Sequence, residues 1–331
     1  MDDTQHALAV LVSGQLVRFF REGLSPLAHL SPPVDLHVVL ARTEYTRAGS
    51  SAAVSPDPSL NHLSEAALAE RLQAMGFRHT SARILSESVL DAEMRAIDAA
   101  VMEAEPDLWR ATAVLREQTV HGNINRWLHN GRMLYARHLA FVAALRAEVT
   151  MTTRYERFLC VREDNAFLRP EQPLPIEAST LSSSHPHQKL AHGTVLLDTH
   201  CSFLGAPSDK ISLSDRMGAL TLFGSNKTSH IELLIAWLRD GLAQSRSGSR
   251  DALQSEGFLY RHLKAAKRVK VVRVPFERTD LRFESGAKGS ATRACVRPLY
   301  YECGPSSLRT RKQWPLCEPL TKHEREIWTN L

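Results

Sequence analysis

Cysteine is scarce in this chain of 331 residues: there are five, Cys160, Cys201, Cys295, Cys303 and Cys317, and no two form a CxxC pair. An odd, scattered set argues against a disulfide framework and against a zinc ribbon or finger. Reduced thiols fit a cytosolic setting, and Cys160, inside an apolar run, reads as a small core hydrophobe. Long hydrophobic runs are missing as well. No stretch reaches the roughly 18 apolar residues of a membrane span. The opening "MDDTQHALAVLVSGQL" is acidic ahead of a short apolar run, the wrong order for a signal peptide. The expected location is the cytoplasm, with the secretory-pathway lumen as the alternative if an anchor has been removed. No internal repeat is present. Nor is there a large excess of one charge: the formal net charge is +5 and the pI about 9.0. That balance suits a nucleotide, a phosphosugar or nucleic acid, and equally a mildly basic surface without a message. A hydrophobic content of 43% is ordinary for a folded protein and permits a sizeable core without metals or disulfides.

What is present is an alternation of strand and helix patterns. Ala7 to Val12 is a continuous apolar run, as in a strand buried on both faces of a parallel sheet. Ser13-Gly14-Gln15 breaks it, and Leu16 to Phe20 reads as helical. Strand, tight turn and helix make the usual opening of a nucleotide-binding α/β domain. Further strands are expected at Val34 to Arg42, in "SARILSES", in "YERFLCVREDN", in "GTVLLDTHCSF" and in "RVKVVRVPFER". Helices are expected after Ser64 up to Gly76, over Leu90 to Glu103, around Trp109 to Glu117, across "NINRWLHNGRMLYARHLAFVAALRAE", and in "SHIELLIAWLRDGLAQ" and "EGFLYRHLKAA". The segment holding Asp209 and Lys210, after Gly205 and Pro207, reads as a loop. The order argues for one α/β domain over residues 1–282, a mostly parallel, Rossmann-like sheet flanked by helices. Residues 283–331 form a C-terminal appendage, with one strand expected at Ala294 to Tyr301.

The stretch "FLCVREDNAFLRP" carries the most chemistry. An apolar strand runs into Arg162 and then Glu163, Asp164 and Asn165, three oxygen-bearing side chains at the end where parallel sheets bind ligands. Oxygen donors suit a hard divalent cation, Mn2+ or Mg2+, with Glu163 and Asp164 as ligands and Asn165 beside them. Such an ion would offset charge on a nucleotide diphosphate that leaves in a substitution. The competing reading is an ordinary turn, since Asp and Asn favour turns after strands.

Taken together, "LAVLVSGQLVRFF", "NRWLHNGRMLYARHLA" and "YERFLCVREDNAFL" resemble, in order and spacing, glycosyltransferases of the GT-A fold. Those begin with a nucleotide-binding strand, followed by a long helix packed beside a strand that ends in an acidic metal motif. "SGQ" with Arg18 looks like an SGQ-x-R start, with one extra residue before the arginine. "HCSFLGAPSDKISLSDRMGALTLF" looks like a G-x-x-DK segment with one extra residue after the glycine, and "SEGFLYRHL" resembles a late PE-x-x-L-x-x-HL stretch. The acidic motif is Glu-Asp-Asn rather than Asp-x-Asp, and no Pro precedes Glu256. The resemblance implies a GT-A-like domain that moves a sugar from a nucleotide-diphosphate sugar to a hydroxyl acceptor such as a glycan. Ser13, Gly14 and Gln15 would cradle the nucleotide. Arg18, with Arg126 and Arg132 on the long helix, would face phosphate. Arg162 would bind phosphate or pair with Asp164, which alternation puts on the same side. Asp209 is the candidate general base, with Asp215 and Asp198 as rivals, and Glu256 an acceptor contact. For each, a solvated charge, a turn or a helix-start acid is the plain alternative. A catalytically degenerate nucleotide-sugar-binding module and a nucleic-acid-binding protein are the competing functions. The second rests on "KAAKRVKVVR", which a solvated strand edge explains without nucleic acid.

Overall fold

The computed structural model describes residues 7–19, 21–30, 33–42, 58–120, 124–163, 165–167, 174, 190–203, 206–248, 252–274, 276, 278–285 and 294–298. A strand with neighbours on both sides and helices on both faces has no side for water, and β1 (Ala7–Gln15) meets that demand: Leu8 through Val12 are all buried. Alternation divides its side chains. Val10 and Val12 join Leu36, Val38, Leu40, Leu159 and Val161 on one face. Ala9 and Leu11 join Val39, Phe158 and Cys160 on the other. Cys160 is buried in this core, as its apolar context foretold.

The other strands of the main sheet are β2 (Asp35–Arg42), β3 (His79–Ser86), β4 (Tyr155–Arg162), β6 (Thr194–Phe203), β7 (Ala206–Asp215) and β8 (Lys270–Val274). The sheet has seven strands in the order β8-β6-β7-β4-β1-β2-β3. All run parallel except β7, which is antiparallel to both β4 and β6. The expected α/β, mostly parallel sheet is therefore observed. β7 is a correction, because the segment holding Asp209 and Lys210 was expected as a loop. Ile211 and Leu213 alternate with Ser212 and Ser214, the period-two signature of a strand, and Pro207 masked it. A second correction is at Ser13-Gly14-Gln15, which continues β1 instead of breaking it. The short 3-10 turn Leu16–Arg18 follows.

A smaller sheet pairs β5 (Asn165–Phe167), β9 (Arg278–Ser285) and β10 (Ala294–Pro298) in the order β10-β9-β5. A boundary between residues 282 and 283 falls inside β9, which pairs with β10 through Leu281–Ser285 and with β5 through Arg278–Asp280.

The helices begin where their caps allow. Ser64 accepts from the Ala67 N–H ahead of α1 (Glu65–Gln73), and Ser86 accepts from the Val89 N–H ahead of α2 (Glu87–Ala104). α3 (Arg126–Met151), capped by Asn125, is the expected long helix and buries Trp127, Leu134, Tyr135 and His138. α4 (Arg216–Phe223) and α5 (Lys227–Arg246) follow β7, and α6 (Ser255–Ala265) leads into β8. No helix among the described residues is long and apolar enough to cross a membrane. β8 is an outermost strand, so Lys270 and Arg273 of the basic stretch lie on a sheet edge, and Arg273 stacks over Tyr260.

Between α3 and α5 the rings of His138 and His230 stack 4.5 Å apart, both buried. His138 Nδ1 bonds the Phe223 and Gly224 carbonyls. Burial, then the neighbouring His138, pushes His230 down to about 3. On β2, burial and then the charge of His79 push His37 down to about 4. Both rings are therefore neutral in the folded protein at pH 5, whereas an unfolded histidine titrates near 6.5. The unfolded chain binds more protons between those values, so stability is fully present above pH 6.5 and falls as pH drops toward 4 and 3. We expect a loss approaching roughly 1.4 kcal/mol per pH unit for each of these two histidines near pH 5. Urea titrations at pH 7, 6 and 5 measure it, and a flat series would mean that the rings are not held neutral.

Candidate functional site

The chain passes from β1 outward to β2 and β3, then returns through α2 and α3 to place β4 on the opposite side of β1. The order reverses there, and the crevice at the carboxyl ends of β1 and β4 is where open α/β sheets bind ligands. Parallel register sets Ser13 beside Arg162. Gly14 follows Ser13 on one strand and Glu163 follows Arg162 on the other, both on the face of Val12 and Val161.

Glu163 is buried against Gly14. A Cβ on residue 14 would stand 1.9 Å from Glu163 Oε2, and Gly14 has φ +153°, so glycine is the residue that leaves room for this carboxylate. Arg18, on the turn after β1, brings Nε to 3.7 Å from Glu163 Oε1, and its side chain keeps 28% of its surface in water. Ser13 is buried on the opposite face, where Arg162 also points. The predicted group of Ser13, Gly14, Gln15, Arg18, Arg162 and Glu163 is thus gathered at one crevice by two strand ends and one turn.

Four further charged residues reach the same edge. β7 enters it at its start, because antiparallel pairing of Val161 with Ile211 carries Lys210 and Asp209 past the end of β4. Lys210 is buried on the face of Ser212; the Asp209 backbone is in β7, and its side chain lies outside the described residues. Asp198, buried on β6, accepts from the Phe276 N–H at 3.3 Å. Glu256 stands in the first turn of α6, which returns from this edge toward the start of β8, and Gln254 donates to it at 2.8 Å. Lys210 and Asp198 are the members that sequence reasoning undervalued. Their signal was a charged residue in an alternating apolar segment, and a Lys or Asp is rarely buried without a task or partner.

Two predicted residues lie elsewhere. Asp215 pairs in register with Arg157 at the amino end of β4, across the length of the strand from Glu163. Its Oδ1 accepts from the Gly218 N–H at 2.8 Å, capping α4, and its Oδ2 accepts from the Gly193 N–H at 2.7 Å. A carboxylate so occupied is a structural anchor. Asp215→Ala should cost about 1–2 kcal/mol of stability, measured by urea unfolding, and leave ligand binding at the opposite edge unchanged. Arg132 turns toward α2, where it pairs with Asp91 and lies 3.7 Å from Glu87. Asp164 lies outside the described residues, as does the Asn165 side chain, while the Asn165 backbone opens β5.

A divalent cation asks for about six oxygen ligands. Among the described residues no three His, Cys, Asp or Glu side chains converge on one point, and the Glu163 carboxylate is already turned to Gly14 and Arg18. These residues do not make a cation site by themselves. The arrangement can receive an anion between Arg18 on one face and Arg162 and Lys210 on the other. No family model matches the chain, and no curated protein matches it.

Proposed function

We propose that the crevice between β1 and β4 binds a nucleotide-diphosphate sugar and that the chain is a glycosyltransferase acting on a hydroxyl acceptor. The observation that carries this reading is the position of the Gly14–Glu163–Arg18 contact at the strand-order reversal, with a long helix, α3, immediately preceding the strand that ends in the acidic turn. In that arrangement Ser13 and Gln15 line the nucleotide pocket. Arg18 and Arg162 face the diphosphate, whose negative charge grows as it leaves, and fixed cations at that point lower the barrier. The acceptor oxygen bonds to the sugar carbon, the bond from that carbon to the diphosphate oxygen breaks, and Asp209 takes the acceptor proton. Glu256 lies on the acceptor side. Mn2+ or Mg2+ would have to draw its ligands from Asp164 and from the donor phosphates in addition to Glu163, and no step above depends on it.

The experiment is a screen of nucleotide sugars for released nucleotide, paired with thermal unfolding in UDP or GDP, with and without Mn2+. A ligand at a hundredfold excess over Kd adds about 2.7 kcal/mol of stability. Absence of any shift with every nucleotide diphosphate would sink the proposal. Binding without turnover would support a catalytically degenerate module. Turnover unchanged in Asp164→Ala would remove the metal.

A further inference from the structure

At the opposite, amino-terminal side of the sheet a second set of polar side chains forms a continuous hydrogen-bonded chain that sugar transfer does not use. Asp35, the first residue of β2, is fully buried and is held by Arg78 Nε at 2.9 Å and Nη2 at 2.6 Å. Tyr155, the first residue of β4, reaches across β1, where the small Ala9 leaves room, and its Oη stands 2.6 Å from Asp35 Oδ2. His37 Nε2 is 3.3 Å from the same Oη, and His37 Nδ1 is 2.8 Å from Ser81 Oγ on β3.

The anchor sets the direction of each bond. Arg78 can only donate. Burial alone would raise the Asp35 pKa, but the Arg78 and Tyr155 hydrogen bonds outweigh it and hold the carboxyl below its ordinary value. Asp35 is therefore an acceptor, and Tyr155 spends its one proton on it. Tyr155 Oη can then only accept from His37, which places the histidine proton on Nε2 and leaves a lone pair on Nδ1. Ser81 must donate to that lone pair. Ser81 is a half-buried residue on the outermost strand β3, in register with His37, with His79 and Arg83 two positions away on the same side.

We propose that Ser81 is a base-activated nucleophile, an acyl-accepting hydroxyl with His37 as its base and Tyr155 and Asp35 as positioning residues. Its substrate class is an activated ester or thioester whose acyl part carries negative charge, which His79 and Arg83 would meet. Ser81 Oγ bonds to the acyl carbon and its proton passes to His37 Nδ1. The carbon–oxygen or carbon–sulfur bond to the leaving group breaks, and the leaving alkoxide or thiolate departs with the electron pair and collects that proton.

The test is modification of the full chain by an alkyl fluorophosphonate, which swaps its fluoride for the serine oxygen, followed by peptide mapping. Ser59 and Ser247, both exposed, are internal references in the same sample. We expect Ser81 to react at least tenfold faster than either, that preference to vanish in His37→Gln, and to shrink several-fold in Tyr155→Phe. The thermal shift with a nucleotide diphosphate should be unaffected in both variants. Because the preference is a ratio within one protein, a general loosening of the fold does not imitate it. Wild-type Ser81 reacting no faster than Ser59 overturns the proposal whether or not the variants fold. A preference that survives in folded His37→Gln overturns it too.

Discussion

Gly14→Ala is expected to lose about 1–3 kcal/mol of stability, the ordinary cost of overpacking, and at least about tenfold in nucleotide-diphosphate affinity, or roughly 1.4 kcal/mol. The added methyl would lie 1.9 Å from Glu163 Oε2 and 2.1 Å from its Cδ, so the carboxylate must leave its seat. The side chain is only 3% exposed, and leaving means parting from Arg18 and pushing into the crevice that the ligand needs. The backbone resists as well, since φ +153° suits glycine. The two residues should therefore couple. In Gly14→Ala combined with Glu163→Ala, the steric part of the loss disappears, and the double variant should be about 1 kcal/mol or more better than the sum of the singles. Urea unfolding of the four proteins measures this; strict additivity would mean that the contact does not govern the site.

Arg78→Ala should be the most damaging single change at the other side of the sheet, costing about 3 kcal/mol, the low end for breaking a buried ion pair. Asp35 is fully buried and would keep Tyr155 while losing both guanidinium hydrogen bonds. The Arg78 side chain is 42% exposed, so water can partly replace it, which sets the low end. Replacing Asp35 and Arg78 together by apolar residues should cost less than Arg78→Ala alone, because no stranded charge remains. Equilibrium unfolding at pH 7 decides, and a loss under about 1 kcal/mol for Arg78→Ala would place the pair among ordinary surface bridges.

Much of the sheet was legible because burial on both faces writes itself as unbroken apolar runs. Leu8–Val12, Val38–Leu40 and Phe158–Val161 could be read this way. β7 was not, because one of its faces carries Lys210, Ser212 and Ser214 among the helices and its first residues include Pro207. β9 escaped for a related reason: "RTDLRFES" has few apolar residues and pairs within a small three-stranded sheet rather than the core. At the site, Gly14, Arg18 and Glu163 could be found because strand ends in a parallel sheet converge by topology. Asp215 and Arg132 could not be sorted from sequence. Whether an acid caps a helix or faces a ligand depends on which end of an antiparallel strand it occupies, and residue type does not record direction.

The antiparallel strand has one more consequence. Pairing of β6 with β8 stops at Asp198, and pairing of β7 with β4 begins only at Ile211, yet β6 runs to Phe203 and β7 starts at Ala206. Among the described residues, the ends of both strands therefore run on as a two-stranded tongue beyond the rim where Glu163 sits. Insertions between Phe203 and Ala206 would lengthen this tongue without touching a core residue. The rim can thus be remodelled through evolution while the floor beneath it stays constant.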